Sequence, residues 1–302
     1  LTSSQAFAGV PPNIERRVRA LGPVLDMAET RALYDPLLAS QPRSGVNLRQ
    51  DISYGPDARH RLDIYQPIQT AAMASPVILL FPGGGFVRGD KTERSNAGLH
   101  FARAGYLTVI ANYRLAPGHS WPAGAEDVSR ALEWVQAHAG GSGGDAQRIW
   151  LMGESAGATH VATATLLRRF HPASGLRIAG AVLISGVYNP ELEWKARQQF
   201  QIATPDPRND AYFGRNAGSF GAMSVVNQID APPLPLLITY AELDPIQMQV
   251  QAGELFARLV VSHGFAPDLH VVRGHNHLSQ VFSFNTGDES LSAPVLNFLA
   301  CH

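Results

Sequence analysis

Ile149-Trp150-Leu151-Met152-Gly153-Glu154-Ser155-Ala156-Gly157 is the stretch on which the reading of this chain turns. Four apolar residues, enough for a short strand, run straight into a serine bracketed by glycines, and small residues in a helical pattern follow. This is the G-x-S-x-G pattern of a nucleophile elbow. In such an elbow a strand turns into a helix so sharply that the flanking positions have little room for side chains, and the serine hydroxyl is left exposed. A glycine-rich turn without chemistry can carry the same five letters, so the flanks have to decide.

Outward from the elbow the chain alternates. Residues 51–54 and 61–65 read as an opening hairpin, followed by strands over 77–81, 107–112, 148–152, 178–184, 235–240 and 269–272. Helical patterns fall over 93–104, 123–139, 156–170, 247–263 and 290–299. Strands alternating with helices predict an α/β fold: a mostly parallel eight-stranded sheet covered by helices on both faces, with an antiparallel edge from the hairpin. Residues 139–145, with G-G-S-G-G in the middle, read as a flexible turn before the elbow strand.

Two segments stand outside this rhythm. Ile14, Val18, Leu21, Val24, Leu25, Ala28, Leu33 and Leu37 fall near helical spacing, which predicts two short amphipathic helices broken around Gly22-Pro23. Such a stripe is ordinary packing surface or a cap over a pocket, and residues 1–45 are assigned here as a small helical cap segment. Residues 189–230, with Trp194, Phe200, Tyr212, Phe213 and Phe220, are too long for a plain connection and are expected to form a pocket-lining insertion.

Composition narrows the function classes. A chain of 302 residues with 45% hydrophobic content can bury a large core. Lys and Arg number 24 against 25 Asp and Glu, so the charge balance points to neither nucleic acid nor an anionic membrane surface as partner. The longest apolar runs, such as residues 76–82, are strand-sized, and no membrane insertion is expected. Cys301 is the only cysteine, which excludes an intrachain disulfide and a cysteine-based zinc cluster. Ala6-Phe7-Ala8 has the look of a signal cleavage site without the charged and apolar regions that should precede it. A cytoplasmic location is favoured on these grounds, with a periplasmic or secreted one as the alternative.

A serine hydroxyl needs a general base to take its proton, and that base needs an acid to hold its tautomer and stabilise its cation. Asp244 follows the apolar strand ending at Tyr240, and His277 follows the strand ending at Val272 through a turn containing Gly274. Nucleophile, acid and base then stand in the chain order that accompanies this kind of elbow, each after a strand. Glu242 is the rival acid and His275 the rival base, with Asp244 and His277 favoured. The H-x-H pair lacks further Cys or His at ligand spacing, so neither metal nor organic cofactor is expected. Attack on a carbonyl also creates an oxyanion. Pro82-Gly83-Gly84-Gly85-Phe86, after the strand 77–81, offers the Gly84 and Gly85 amides as donors, and Ala156 after the serine offers a third. No phosphate-loop lysine follows these glycines. Phe86, Tyr113 and Trp121 are candidate wall residues.

With these residues in place, the chain resembles the hormone-sensitive-lipase-like branch of the α/β-hydrolase superfamily, near its carboxylesterases and its kynurenine-formamidase and feruloyl-esterase-like members. The resemblance runs from about Asp51 onward. It rests on Pro82-Gly83-Gly84-Gly85-Phe86, Asn112-Tyr113-Arg114-Leu115-Ala116-Pro117, Trp121-Pro122-Ala123 with Glu126-Asp127, the elbow itself, Ala241-Glu242-Leu243-Asp244-Pro245 and Gly274-His275-Asn276-His277. The departures lie near the site. Pro82 stands where the family has histidine, Glu154 where aspartate is common, Ala158 where a second glycine is usual, and Met248 where a second aspartate often follows.

The resemblance implies an α/β-hydrolase catalytic domain over residues 46–302. It also implies a serine carboxylesterase acting on small to medium esters through an acyl-enzyme. Alternatives on the same site are amide, formamide, carbamate or lactone hydrolysis, and, from another class, a non-catalytic ligand-binding protein on the same scaffold. Asp127 is expected to serve stability more than chemistry.

Overall fold

The computed structural model describes residues 9–42, 44–68, 73–199 and 207–302. Ala6-Phe7-Ala8 and Phe200 lie outside the described residues. Among these, eight strands form one sheet: β1 (Val46–Ser53), β2 (Arg61–Pro67), β3 (Ser75–Phe81), β4 (Leu107–Ala111), β5 (Gly144–Glu154), β6 (Gly180–Ile184), β7 (Leu236–Leu243) and β8 (Asp268–Asn276). The strand order is β1-β2-β4-β3-β5-β6-β7-β8. β2 runs antiparallel to both β1 and β4, and every other pairing is parallel, so the antiparallel edge expected from the hairpin is present.

The central strands are apolar throughout because both faces are covered. Along β3, Val77, Leu79 and Phe81 enter one core while Ile78 and Leu80 enter the other. β5 divides likewise, Ile149 and Leu151 against Trp150 and Met152, the period-two alternation of a pleated strand. The helices are α1 (Pro12–Leu21), α2 (Met27–Ala39), α3 (Ser95–Arg103), α4 (Ala123–His138), α5 (Ala156–Leu166), α6 (Pro190–Gln199), α7 (Pro207–Phe213), α8 (Phe220–Met223), α9 (Ile246–His263), α10 (Ser279–Phe282) and α11 (Ser292–Cys301). α4, α5 and α9 supply the first core with residues such as Val128, Val161 and Leu255, and α3 and α11 the second with Phe101 and Phe298.

Several boundaries differ from the sequence reading. β1 begins earlier than expected, since its side chains are mostly exposed and leave no alternation to read. The helix expected over 93–104 is a 3₁₀ turn, Lys91–Arg94, followed by α3. The one expected over 156–170 ends at Leu166, where Leu167 turns extended and a short 3₁₀ turn follows. Within 189–230 the described residues form α6, α7, α8 and two 3₁₀ turns.

α1 and α2 meet at Gly22, whose left-handed φ of 63° closes α1. Asp26 caps α2 by accepting from the Glu29 amide at 2.9 Å. Ile14, Val18 and Tyr34 pack against Leu278 and Phe282, so these helices sit beside the chain that follows β8.

Candidate active site

The carboxyl ends of parallel strands gather side chains at one rim of the sheet. β5 ends at Glu154, and Ser155 turns the chain into α5 with φ 52° and ψ −119°, a conformation costly for a residue with a Cβ. The turn closes because the next layers touch: a Cβ on Gly157 would overlap the carbonyl of Phe81 at the end of β3. β7 leads to Asp244 and β8 to His277.

The three side chains form a hydrogen-bonded chain. His277 Nδ1 lies 2.6 Å from Asp244 Oδ1, and His277 Nε2 lies 3.0 Å from Ser155 Oγ. A carboxylate only accepts, so Nδ1 carries the proton toward Asp244 and the lone pair of Nε2 faces the serine hydroxyl. Asp244 Oδ2 accepts from the Ala241 amide at 2.8 Å and from the Ser185 hydroxyl at 2.6 Å. Gln280 Nε2 donates to Ser185 Oγ at 2.8 Å, which turns the Ser185 proton toward the carboxylate. Ser185 and Gln280 carry no motif, and nothing in the sequence singles them out.

The two rivals are committed elsewhere. Glu242 accepts from the Gly274 amide at 2.8 Å and from Arg19 at 3.2 Å. The Gly274 bond first, then Arg19, holds its carboxyl below the ordinary range. His275 is buried, with Nδ1 3.0 Å from Ser279 Oγ and Nε2 3.2 Å from Asp288 Oδ2. Burial pushes the Asp288 carboxyl up, but the contacts from His275 and Ser290 outweigh it and leave it below its ordinary value.

The glycine loop after β3 lies over the elbow. Gly84 has φ 145°, and a Cβ there would run into the carbonyl of Arg88. Among the described residues the amides of Gly84 and Gly85 donate to no protein acceptor. Ala156, as the first residue of α5, has no intrahelical acceptor. The loop is tied down from below: Tyr113 donates its hydroxyl to the Pro82 carbonyl at 2.8 Å, and Arg59 donates to the carbonyls of Tyr113 and Gly89 at 2.8 and 2.7 Å. Glu154 is held by a buried two-pronged pair with Arg94, whose guanidinium also lies over the Phe282 ring.

These elements surround a cleft of about 1030 Å³, counting the solvent at its open mouth, with Ser155 and His277 in its wall. Apolar lining comes from Leu25, Met27, Phe86, Val187, Met248 and Leu278. Of the three candidate wall residues only Phe86 lines it; Tyr113 is buried under the glycine loop, and Trp121 packs in the neighbouring aromatic cluster with Phe86. Arg94 and Gln247 also line it and were not anticipated, since a charged or amide residue gives no sequence sign of facing inward.

Asp127 lies away from the cleft. It is fully buried, accepting from His60 Nε2 at 2.9 Å and from the Arg114 amide at 2.8 Å. Burial alone would raise its pKa, yet these partners together hold it below its ordinary value. Among the described residues no three His, Cys, Asp or Glu side chains group as metal ligands would, and no helix is long and apolar enough to cross a membrane.

Comparison with known proteins agrees with this architecture. A family model described as alpha/beta hydrolase fold matches residues 78–281. The chain is 37% identical over 149 residues to the probable carboxylic ester hydrolase LipM of Mycobacterium tuberculosis, covering 46% of this chain and 34% of that protein. It is 28% identical over 239 residues to the esterase LipQ of the same organism, covering 73% of this chain and 56% of that protein. The matches thus span about a third to somewhat over half the length of these curated relatives. Among solved structures, a bacterial heroin esterase superposes with a TM-score of 0.71 at 26% identity, covering 96% of both chains. Esterase B from Lactobacillus rhamnosis gives a TM-score of 0.74 at 18% identity over 96% of this chain and 95% of its own, a likeness of fold.

Proposed function

Because the chain belongs to the α/β-hydrolase-fold family, in its hormone-sensitive-lipase-like branch, we propose that it is a serine carboxylesterase acting on small to medium esters. The observation that carries this reading is the unbroken chain Asp244–His277–Ser155, at 2.6 and 3.0 Å, opening into the cleft. Ser155 Oγ attacks the ester carbonyl as its proton passes to His277 Nε2. Asp244 holds the proton on Nδ1 and stabilises the imidazolium. The amides of Gly84, Gly85 and Ala156 bind the oxyanion, with the amino end of α5 adding its partial positive charge. His277 then protonates the leaving alcohol, draws a proton from water, and the acyl-enzyme is hydrolysed. No step calls for a metal or an organic cofactor.

Residues 1–45 act as a cap segment, supported by Met27 and Arg31 of α2 and by Leu25 just before it in the cleft wall. Residues 189–230 act as the pocket-lining insertion, supported by Glu193, Arg197, Arg208 and Asn209 there. The test is Ser155→Ala with p-nitrophenyl acetate and butyrate beside an aryl formamide. Turnover of the esters should fall by about 10⁴-fold or more, and a fluorophosphonate should label the parent protein alone. Unchanged hydrolysis by the folded variant refutes the assignment, and faster turnover of the formamide moves the reaction class to amide chemistry.

A further inference from the structure

Three glutamines lie in the first turns of α9, and two of them are hydrogen-bonded. Gln249 Nε2 donates to the Asp244 carbonyl at 2.8 Å. Gln251 accepts from the Tyr188 and Asn189 amides at 2.8 Å and donates to the Asn189 carbonyl at 2.9 Å. Gln247 differs. It is 4% exposed, its Oε1 is buried without a hydrogen-bond partner, and no bond to its Nε2 is found among the described residues. It lines the same cleft as Ser155 and His277, whose wall also includes the apolar residues Pro245, Met248, Val187 and Leu278.

A buried primary amide among apolar groups is unfavourable unless something bonds to it. The buried charged residues of the wall are paired, Glu154 with Arg94 and Glu193 with Arg197. Of the two amide side chains in the cleft wall, Gln247 and Asn209, Gln247 is the buried one, three positions after the acid of the catalytic chain. We infer that Gln247 is a specificity-determining residue that recognises an uncharged hydroxyl or amide group on the ester, close to the scissile bond. Both ends of its side chain are usable, since rotation about the last torsion exchanges carbonyl and amine. It can therefore donate to and accept from a hydroxyl, which a methyl group in the same place cannot match. Charged groups fit less well, because the amide offers no counter-charge. This inference rests on the serine-esterase reading and extends it from reaction to substrate class.

The test uses two isosteric pairs and reads a ratio. Ethyl 3-hydroxybutyrate against ethyl 3-methylbutyrate probes the acyl side, and 2-hydroxyethyl butyrate against n-propyl butyrate probes the alcohol side. Within each pair the kcat/KM ratio is measured for the parent protein, for Gln247→Met and for Gln247→Leu, the second variant guarding against a folding failure of the first. In one pair the substitution should lower the preference for the hydroxyl ester by about 2- to 12-fold, the range of one neutral hydrogen bond. The pair that responds identifies the side of the ester that Gln247 faces. Ratios that ignore both substitutions, while p-nitrophenyl acetate is still hydrolysed by the parent and not by Ser155→Ala, overturn the inference and leave the esterase standing. Absence of any Ser155-dependent ester hydrolysis overturns both.

Discussion

Asp244→Asn is the substitution for which the surroundings dictate the outcome most fully. Oδ2 of Asp244 faces the Ala241 amide at 2.8 Å, a group that can only donate, and the Ser185 hydroxyl, whose proton Gln280 turns toward it. An asparagine must therefore place its carbonyl oxygen at that position, because its NH₂ group would meet a donor there. The NH₂ is then forced to the Oδ1 position, 2.6 Å from His277 Nδ1. Nδ1 has to become an acceptor, so the imidazole proton moves to Nε2 and points at Ser155, where a lone pair is needed. The wrong tautomer leaves the geometry intact and the base disabled, worth about 10⁴-fold in kcat, or roughly 5 kcal/mol. Steady-state kinetics with p-nitrophenyl butyrate measures the loss. ¹⁵N spectra of the histidine side chains should show the proton on Nδ1 in the parent and on Nε2 in the variant. Retention of kcat within tenfold, or an Nδ1-protonated His277 in the variant, would refute the reasoning.

Other perturbations follow from the same environment. Arg94 and Glu154 are only 3% and 7% exposed, so Arg94→Leu strands a buried carboxylate and should cost about 3–5 kcal/mol in urea unfolding. Arg94→Leu with Glu154→Leu should cost less than the sum of the singles, and strict additivity would count against a coupled pair. Burial pushes His160 down to about 3, with Asp127 opposing weakly. Its unfolded value is about 6.5, so the stability it contributes is present above that value and is lost as pH falls toward the folded one. Between pH 7 and pH 4 this amounts to about 3 kcal/mol, and His160→Leu should shrink the acid-induced drop by about that much. Gly157→Ala should destabilise by about 1–3 kcal/mol or more, because its Cβ meets the Phe81 backbone rather than a movable side chain; unaltered thermal unfolding and unaltered fluorophosphonate labelling would argue against that contact.

What was legible in the sequence follows from where the constraint is local. The sheet could be read because each central strand is a short apolar run closed by a turn, as at residues 149–153 and 236–240. Ser155, Asp244 and His277 could be nominated together because each follows such a strand, and β5, β7 and β8 bring them to one rim. The edge strand β1 could not be delimited, since exposed side chains carry no periodicity. Arg94 could not be seen either: its partner is 60 positions away, and arginine in a sequence reads as surface. The same holds for Ser185 behind Asp244, and for Gln247, whose distinction is the absence of a bond that its helical neighbours make. Such residues are defined by what the tertiary structure brings opposite them.

The packing of α1 and α2 on Leu278 and Phe282 has a consequence for when the site comes into being. Ile14, Val18 and Tyr34 are synthesised long before the histidine whose neighbours they support, and must wait for some 240 further residues to emerge. Ser155 and the glycine loop can be assembled within the middle of the chain, but Leu278, next to His277, is covered by Ile14, Val18 and Tyr34 only when the earliest and latest of these stretches meet. Turnover would then report closure of the whole ring of contacts, and a nascent or nicked chain lacking either stretch would hold an inert serine.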